Sequence, residues 1–413
     1  MPAAPRLPLR RVLAWTGIGV LTVQVGAALA LMAADALRKR RFPPSGTFPR
    51  IPPEEVEAHG SRLTVYTDGD ELYDAMLADI RAARETVFFE TYIWKADEVG
   101  ERFKAELTEA AARGVDVYVI YDTFANLVVP RAFKQFDDRL QVLAFGLVNG
   151  RSPLSPRTYA RDHRKLLVVD ERVGYVGGYN IGKLYSDTWR DTHLRIEGPA
   201  AWELSNAFVD FWNYYKKKRH PELTDRGARK WDARIRASLN LPNRLLFPVR
   251  GMYIDAVERA VRSVDITQGY FLPDEEILDA LLRAVRRGVE VRVLVPEFSN
   301  HVVADWVARG LLSRLLAGGV RIFLFQHAMV HAKTATVDGR WTTIGTTNID
   351  RLSMTGNFEI NIEVYDEGLA HRMEEVFATD LTNARELTLE EWESRPAWKR
   401  VVERVLRPLA PLL

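Results

Sequence analysis

"RDHRKLLVVD", Arg161–Asp170, and "MVHAKTATVD", Met329–Asp338, share one skeleton: His, one residue, Lys, four residues, Asp. The trios are His163, Lys165 and Asp170, then His331, Lys333 and Asp338. On extended backbone, a His and a Lys two residues apart point to the same side. The run "KLLVV" is apolar on both faces, as a central strand should be. Asp338-Gly339 is a hairpin signal between "KTATV" and "RWTTI", and Asp170-Glu171 takes the same place in the first copy. Each motif therefore predicts a strand, a tight turn and a second strand.

The match runs on past the turns. Gly177-Gly178-Tyr179-Asn180 answers Gly345-Thr346-Thr347-Asn348, and each Asn lies 17 residues after its His. Asp191 and Glu359 each lie 21 residues after their motif Asp. One such trio would be modest evidence, but two with matching followers indicate a duplication.

The flanking segments repeat as well. "TVFFETYIW" (86–94), a helical pattern around 101–113 and "RGVDVYVIYD" (113–122) answer "SVDITQGYF" (263–271), "ILDALLRAVRR" (277–287) and "RGVEVRVLVPE" (287–297). "RLQVLAF" (139–145) and "GVRIFLF" (319–325) supply a third strand in each copy. Strands alternating with helices imply an α/β fold with a parallel or mixed sheet covered on both faces. A period near 170 residues is a domain duplication rather than a solenoid. The 413 residues, 47% hydrophobic and 27% charged, leave ample material for such cores. A net charge of +2 argues for no particular partner, and the absence of Cys excludes disulfides and thiolate metal sites.

Each copy supplies an imidazole, an ammonium, an amide and two carboxylates. Two Lys and two Asn brought face to face would cradle a phosphate whose oxygens gain charge. One neutral imidazole would attack phosphorus, and the other, protonated, would donate to the departing alkoxide. A second alcohol, deprotonated by that same imidazole, would reverse the first step. A carboxylate behind each His would hold its tautomer. The lysines supply the positive charge, so neither a metal nor another cofactor is expected. A zinc site is a weak alternative, because the spacing is wrong and Lys opposes a cation. His193, two residues after Asp191, is a further candidate to line the site. His59, His220, His301, His327 and His371 have no repeated partner and read as solvated or structural.

Val12–Ala34 holds 23 residues without a charge between basic flanks. As a helix it would span ~34 Å, enough to cross a bilayer core. A transmembrane anchor is the expectation, with a cleaved signal ending near Ala34-Asp35-Ala36 as the alternative. The tail places Trp398, Val401, Val402, Val405, Leu406 and Leu409 at helical spacing among basic residues. It suits an anionic membrane surface or a terminal helix packed on the body. Lys216-Lys217-Lys218-Arg219, after Trp212, Tyr214 and Tyr215, suits either lipid headgroups or a solvated linker.

These motifs resemble the phospholipase D superfamily, and within it the bacterial cardiolipin synthases of that type, over roughly residues 60–385. The resemblance implies a duplicated phospholipase D-like fold of two α/β halves, each a mixed sheet flanked by helices, to which the uncharged run adds one N-terminal transmembrane helix where many of these synthases carry two. It implies one shared site with His163, Lys165, Asp170, His331, Lys333 and Asp338 as its signature. His163 would become the phosphohistidine, and His331 would act as acid and then base. Lys165, Lys333, Asn180 and Asn348 would bind phosphate, and Asp191 and Glu359 would support the histidines. Motif Asp170 and Asp338 are, by the same resemblance, more structural. The family often carries Gly-Ser before the Asn, where this chain has Gly178 and Thr346.

The implied reaction moves a phosphatidyl group from one phosphatidylglycerol to another, releasing glycerol. Hydrolysis of a phospholipid, a membrane-tethered nuclease and a silent membrane scaffold are the alternatives. The expected partner is anionic phospholipid in a membrane, not nucleic acid. A single-pass cell-membrane location is expected, with the body on the cytoplasmic side. The expected divisions are an anchor (1–41), a linker (42–59), a first half (60–220), a basic linker (221–245), a second half (246–385) and a tail (386–413).

Overall fold

The structure is a computed structural model that describes residues 9–41, 45–149, 155–224, 227 and 232–412, with backbone alone for 9–18, 20, 21, 156, 411 and 412. Strands β1 (Glu55–Ala58), β2 (Ser61–Tyr66), β3 (Thr86–Thr91), β4 (Asp116–Asp122), β5 (Gln141–Phe145), β6 (Leu166–Val169), β7 (Val173–Gly177), β8 (Trp189–Arg190) and β9 (His193–Glu197) belong to the first half. Strands β10 (Ile235–Asn240), β11 (Ser263–Gln268), β12 (Glu290–Pro296), β13 (Arg321–Phe325), β14 (Met329–Val330), β15 (Lys333–Val337), β16 (Trp341–Gly345), β17 (Glu359–Tyr365) and β18 (Ala384–Leu387) belong to the second.

They form two eight-stranded sheets, ordered β1-β2-β9-β7-β6-β3-β4-β5 and β10-β17-β16-β15-β11-β12-β13-β18. The run β9-β7-β6-β3-β4-β5 matches β17-β16-β15-β11-β12-β13 strand for strand. In both, three strands run parallel and the motif strand is antiparallel to them. The duplicated mixed α/β fold is therefore as expected.

Local chemistry explains the elements. The crossover helices Glu98–Ala112 and Glu275–Arg286 start on Asp97 and Asp274, whose carboxylates accept first-turn N–H groups. Val99, Phe103, Leu107 and Ala110 then bury one stripe of the first helix. The motif strands are buried throughout, and the turns after them use Asp170-Glu171 and Asp338-Gly339 at positive φ.

One apolar cluster runs through both halves. Val176, Leu194 and Ile196 of the first pack in it with Ile344, Phe358, Ile360 and Ile362 of the second. The halves therefore meet along β7, β9, β16 and β17, face to face.

Three stretches differ from expectation. β1 lies inside the expected 42–59 linker, paired with β2 through His59-Gly60 at positive φ. β10 lies inside the expected 221–245 linker, antiparallel to β17. β18 straddles the expected boundary at 385. Strands of four to six residues are too short for their periodicity to stand out. Residues 42–44, 225, 226 and 228–231 of those linkers lie outside the described residues.

The N-terminal helix, Leu9–Arg41, also departs from the expected membrane-crossing anchor. Among the described residues no helix is long and apolar enough to cross a membrane. The side chains at 12–18, 20 and 21 of the apolar run lie outside them. From Gln24 onward one side of the helix rests on protein. The Gln24 amide donates to the Val405 carbonyl at 3.2 Å. Ala27 and Leu31 join Ala304, Trp306, Val307 and Leu406 in one apolar cluster. The tail helix, Ala397–Leu406, docks there through buried Leu406 while Trp398 and Val401 stay exposed.

Candidate active site

Short backbone pairings between the halves position both histidines. Asp162 bridges Phe358; the His163 N–H donates to the Phe358 carbonyl at 3.0 Å, and the Phe358 N–H donates to the Arg161 carbonyl at 2.9 Å. β14 pairs with β8 in the same way, and the His331 N–H donates to the Arg190 carbonyl at 2.7 Å. In each case the next residue of the partner half is the acid. His163 Nδ1 thus lies 2.9 and 3.0 Å from the Glu359 oxygens, and His331 Nδ1 lies 2.7 Å from Asp191 Oδ2. The carboxylates are exchanged: each half orients the other half's imidazole.

Both histidines line one cavity of about 530 Å³, together with Asn180, Asn348, Tyr92, Trp189 and Tyr270. The Tyr92 ring meets His163 edge-on at 4.7 Å, and the Trp189 ring lies 4.9 Å from that of His331. Asn180 Oδ1 accepts the Ile93 N–H at 3.2 Å, which turns its NH₂ the other way, and the buried Asn348 Oδ1 has no hydrogen-bond partner. Lys165 and Lys333 sit behind this wall rather than in it. Their Nζ groups donate to the main-chain carbonyls of His163 and His331. The expected trio-and-amide set is thus brought together, except for the motif aspartates.

Burial dominates the electrostatics. It pushes His331 down to about 3, with Lys333 adding to the effect, and pushes His163 well below its usual value, with Lys165 and Lys333 adding. Both imidazoles are neutral at pH 7. Burial also lowers Lys165 to about 8 and Lys333 to about 7, against the pull of Glu359 and Asp191. The two acids diverge. Burial raises Glu359 to about 8, whereas at Asp191 Lys333 and His331 outweigh burial and hold it at about 2.

Asp170 and Asp338, grouped with the catalytic trios from sequence, are corrected to structural roles. Each sits at the far end of its motif strand. Asp170 accepts the N–H groups of Arg84, Glu85 and Thr86, and Asp338 those of Val261, Arg262 and Ser263. They fasten the chain entering β3 and β11. Asp170→Ala and Asp338→Ala should each cost about 2–3 kcal/mol, the scale of hydrogen bonds to a charged acceptor. Urea denaturation measures that loss, and turnover of the folded enzyme should stay near wild type. An inactive but fully stable variant would return these residues to the chemistry.

Gly178 and Thr346 differ because their acids differ. Thr346 Oγ1 donates to Glu359 Oε2 at 2.5 Å. A Cβ at Gly178 would lie 2.1 Å from Asp191 Oδ1, so the shorter acid occupies the room a hydroxyl side chain would need. The Thr192 N–H takes over as donor to Asp191 Oδ1, at 2.7 Å.

Several residues escaped the sequence reading. Buried Arg164, next to His163, pairs with Glu90 at 2.6 Å, and buried Arg190, next to Asp191, pairs with Asp380 of the second half at 2.6 Å. The lone Glu inside "FFETYIW" was the available signal for the first pair. Asp350 lines the cavity where the first half has Gly182, and burial raises it to about 7. His193 is buried, with Nδ1 unpartnered, and is not on the cavity wall.

The family described as cardiolipin synthase, PLD-like domain, matches residues 76–212 and 253–381. The chain is 32% identical to the major cardiolipin synthase of Bacillus subtilis over 372 residues, 87% of this chain and 77% of that one. It is 31% identical to a cardiolipin synthase of Staphylococcus aureus over 363 residues, covering 85% and 73%. Among solved structures, the phosphatidylserine synthase of Haemophilus influenzae superposes with a TM-score of 0.68 at 15% identity, covering 91% of this chain and 97% of that one. That likeness speaks for the fold. The chain belongs to the cardiolipin synthase, phospholipase D-like family, and is an enzyme of that family.

Proposed function

We propose that the protein is a cardiolipin synthase that transfers a phosphatidyl group between two phosphatidylglycerol molecules through a phosphohistidine. One observation carries this reading: two neutral imidazoles, each backed by the opposite half's carboxyl group, line a single cavity. His163 Nε2 attacks phosphorus, and the leaving glycerol oxygen takes its proton from His331, which binds one from solvent once the anionic phosphodiester lies beside it. His331 then removes the proton of the incoming hydroxyl, and the P–N bond breaks. Lys165 and Lys333 supply positive charge behind the phosphate, and Asn180 and Asn348 hold its oxygens. A membrane setting suits a lipid substrate. The N-terminal helix keeps Val25, Leu29 and Met32 exposed, and the tail keeps Trp398 and Val401 exposed.

Labelled phosphatidylglycerol tests the reading. Cardiolipin plus glycerol from the wild type, lost in His163→Ala and His331→Ala, is the expected outcome. Phosphatidic acid alone would make the protein a hydrolase, and cleaved DNA without lipid turnover a nuclease.

The lysines predict the pH profile. Their ammonium forms exist below about 8 for Lys165 and about 7 for Lys333, so the charge behind the phosphate is lost as pH rises. The profile of kcat/KM, which reports the free enzyme, should fall between those values. A bound phosphodiester anion stabilises the ammonium form, so the alkaline limb of kcat should lie at higher pH. A kcat limb at or below that of kcat/KM would remove the lysines from phosphate binding.

A further inference from the structure

Beside the catalytic cavity lies a second, of about 520 Å³. Trp189, Leu184 and Asn300 belong to the walls of both. The rest of its wall is largely apolar, with Phe298, Phe325, Ala328 and Met329. Arg38 and Lys39, from the last turn of the N-terminal helix, complete it. Both reach the same carboxylate, Asp35, at 2.6 Å each, so two cations share one anion and leave a net positive charge. The Arg38 guanidinium also lies over the Phe298 ring at 3.9 Å. Glu297, the acid that lines this wall, is taken by Arg385 at 2.9 Å.

An acceptor lipid differs from water or a free alcohol in two ways. It brings a phosphate of its own and the roots of two acyl chains. The first needs a cation, and the second an apolar wall. Lys165 and Lys333 are committed to the reacting phosphate, so the acceptor's phosphate needs other positive charge. The second cavity offers both features, within the size range of a small-molecule site, and shares three wall residues with the catalytic cavity.

We propose that this cavity holds the acceptor, a second anionic phospholipid. Its phosphate lies against Arg38 and Lys39, and its headgroup hydroxyl passes Trp189 into the catalytic cavity. There the hydroxyl oxygen bonds to phosphorus as the bond from phosphorus to His163 Nε2 breaks. The electron pair returns to the imidazole, and the hydroxyl proton goes to His331. This assignment rests on the phosphatidyl-transfer reading above.

The test separates lipid acceptors from small ones. The full-length protein is given phosphatidylglycerol in detergent micelles with labelled free glycerol. Labelled phosphatidylglycerol then reports transfer to a small alcohol, and cardiolipin reports transfer to a lipid. In the Arg38→Ala/Lys39→Ala double variant, cardiolipin formation should fall about tenfold or more while glycerol exchange stays within about twofold. Ala328→Leu, which narrows the cavity without touching charge, should produce the same split, and the retained exchange shows that each variant is folded. Parallel loss of both products, or loss of neither, would overturn the assignment. Wild-type enzyme that exchanges glycerol yet makes no cardiolipin would remove the lipid acceptor and this site with it. No exchange at all would strike the transfer reading itself.

Discussion

His163→Ala should lower phosphatidyl turnover by roughly 10⁵-fold, the scale of losing a covalent nucleophile. His331→Ala should cost roughly 10²–10⁴-fold, the scale of losing a general acid–base. The two variants differ in kind as well as in size. A diester with an activated leaving group needs no proton donor, so it should still phosphorylate His163 in His331→Ala. The adduct should then accumulate, because no base activates the acceptor. Acid-quenched His163→Ala should carry no label.

The environments support this division of roles. Asp191, held at about 2, places a full negative charge beside His331, which favours the imidazolium a proton carrier must become. Glu359, raised to about 8, gives His163 a weaker counter-charge and leaves it a neutral nucleophile. Label trapped in His163→Ala and absent from His331→Ala would reverse the two roles.

Much of this site was legible in sequence because its parts recur at fixed spacing. Strand periodicity placed His and Lys on one side, Asp-Gly marked the turn, and Asn180, Asn348, Asp191 and Glu359 followed in register. The exchange of carboxylates was not legible. Along the chain Asp191 follows His163, and only the pairing of β8 with β14 and of Asp162 with Phe358 carries it to His331 and brings Glu359 to His163. Two-residue pairings leave no periodicity to read. The motif aspartates were ambiguous for a related reason. A repeated acid looks the same whether it serves chemistry or caps three backbone N–H groups, and only its place at the far end of the strand separates the two. The contact of Gln24, Ala27 and Leu31 with the body was hidden too, because an apolar run does not show which of its residues meet protein.

The same geometry predicts unequal effects for two isosteric changes. Asp191 Oδ2 accepts from His331 Nδ1 while Oδ1 accepts the Thr192 N–H. Both positions need an acceptor, and an Asn offers only one. If its oxygen stays on Thr192, its NH₂ faces His331 and drives the ring to the wrong tautomer. If it turns over, two donors collide at Thr192. Glu359 differs, because its second partner is the Thr346 hydroxyl, which both donates and accepts. A Gln there keeps its oxygen on His163 Nδ1 and gives its NH₂ to Thr346 Oγ1. The Thr346 hydroxyl then turns toward the Ile360 carbonyl, already 3.3 Å away. Asp191→Asn should therefore lose roughly 10³–10⁴-fold in kcat, the scale of a wrong-tautomer histidine. Glu359→Gln should lose only about 10–100-fold, mainly through weaker support of the charged phosphohistidine. Steady-state kinetics at pH 7 on the two folded variants decides the matter. Equal losses, or the larger one at Glu359, would mean that tautomer control at His331 does not limit the reaction.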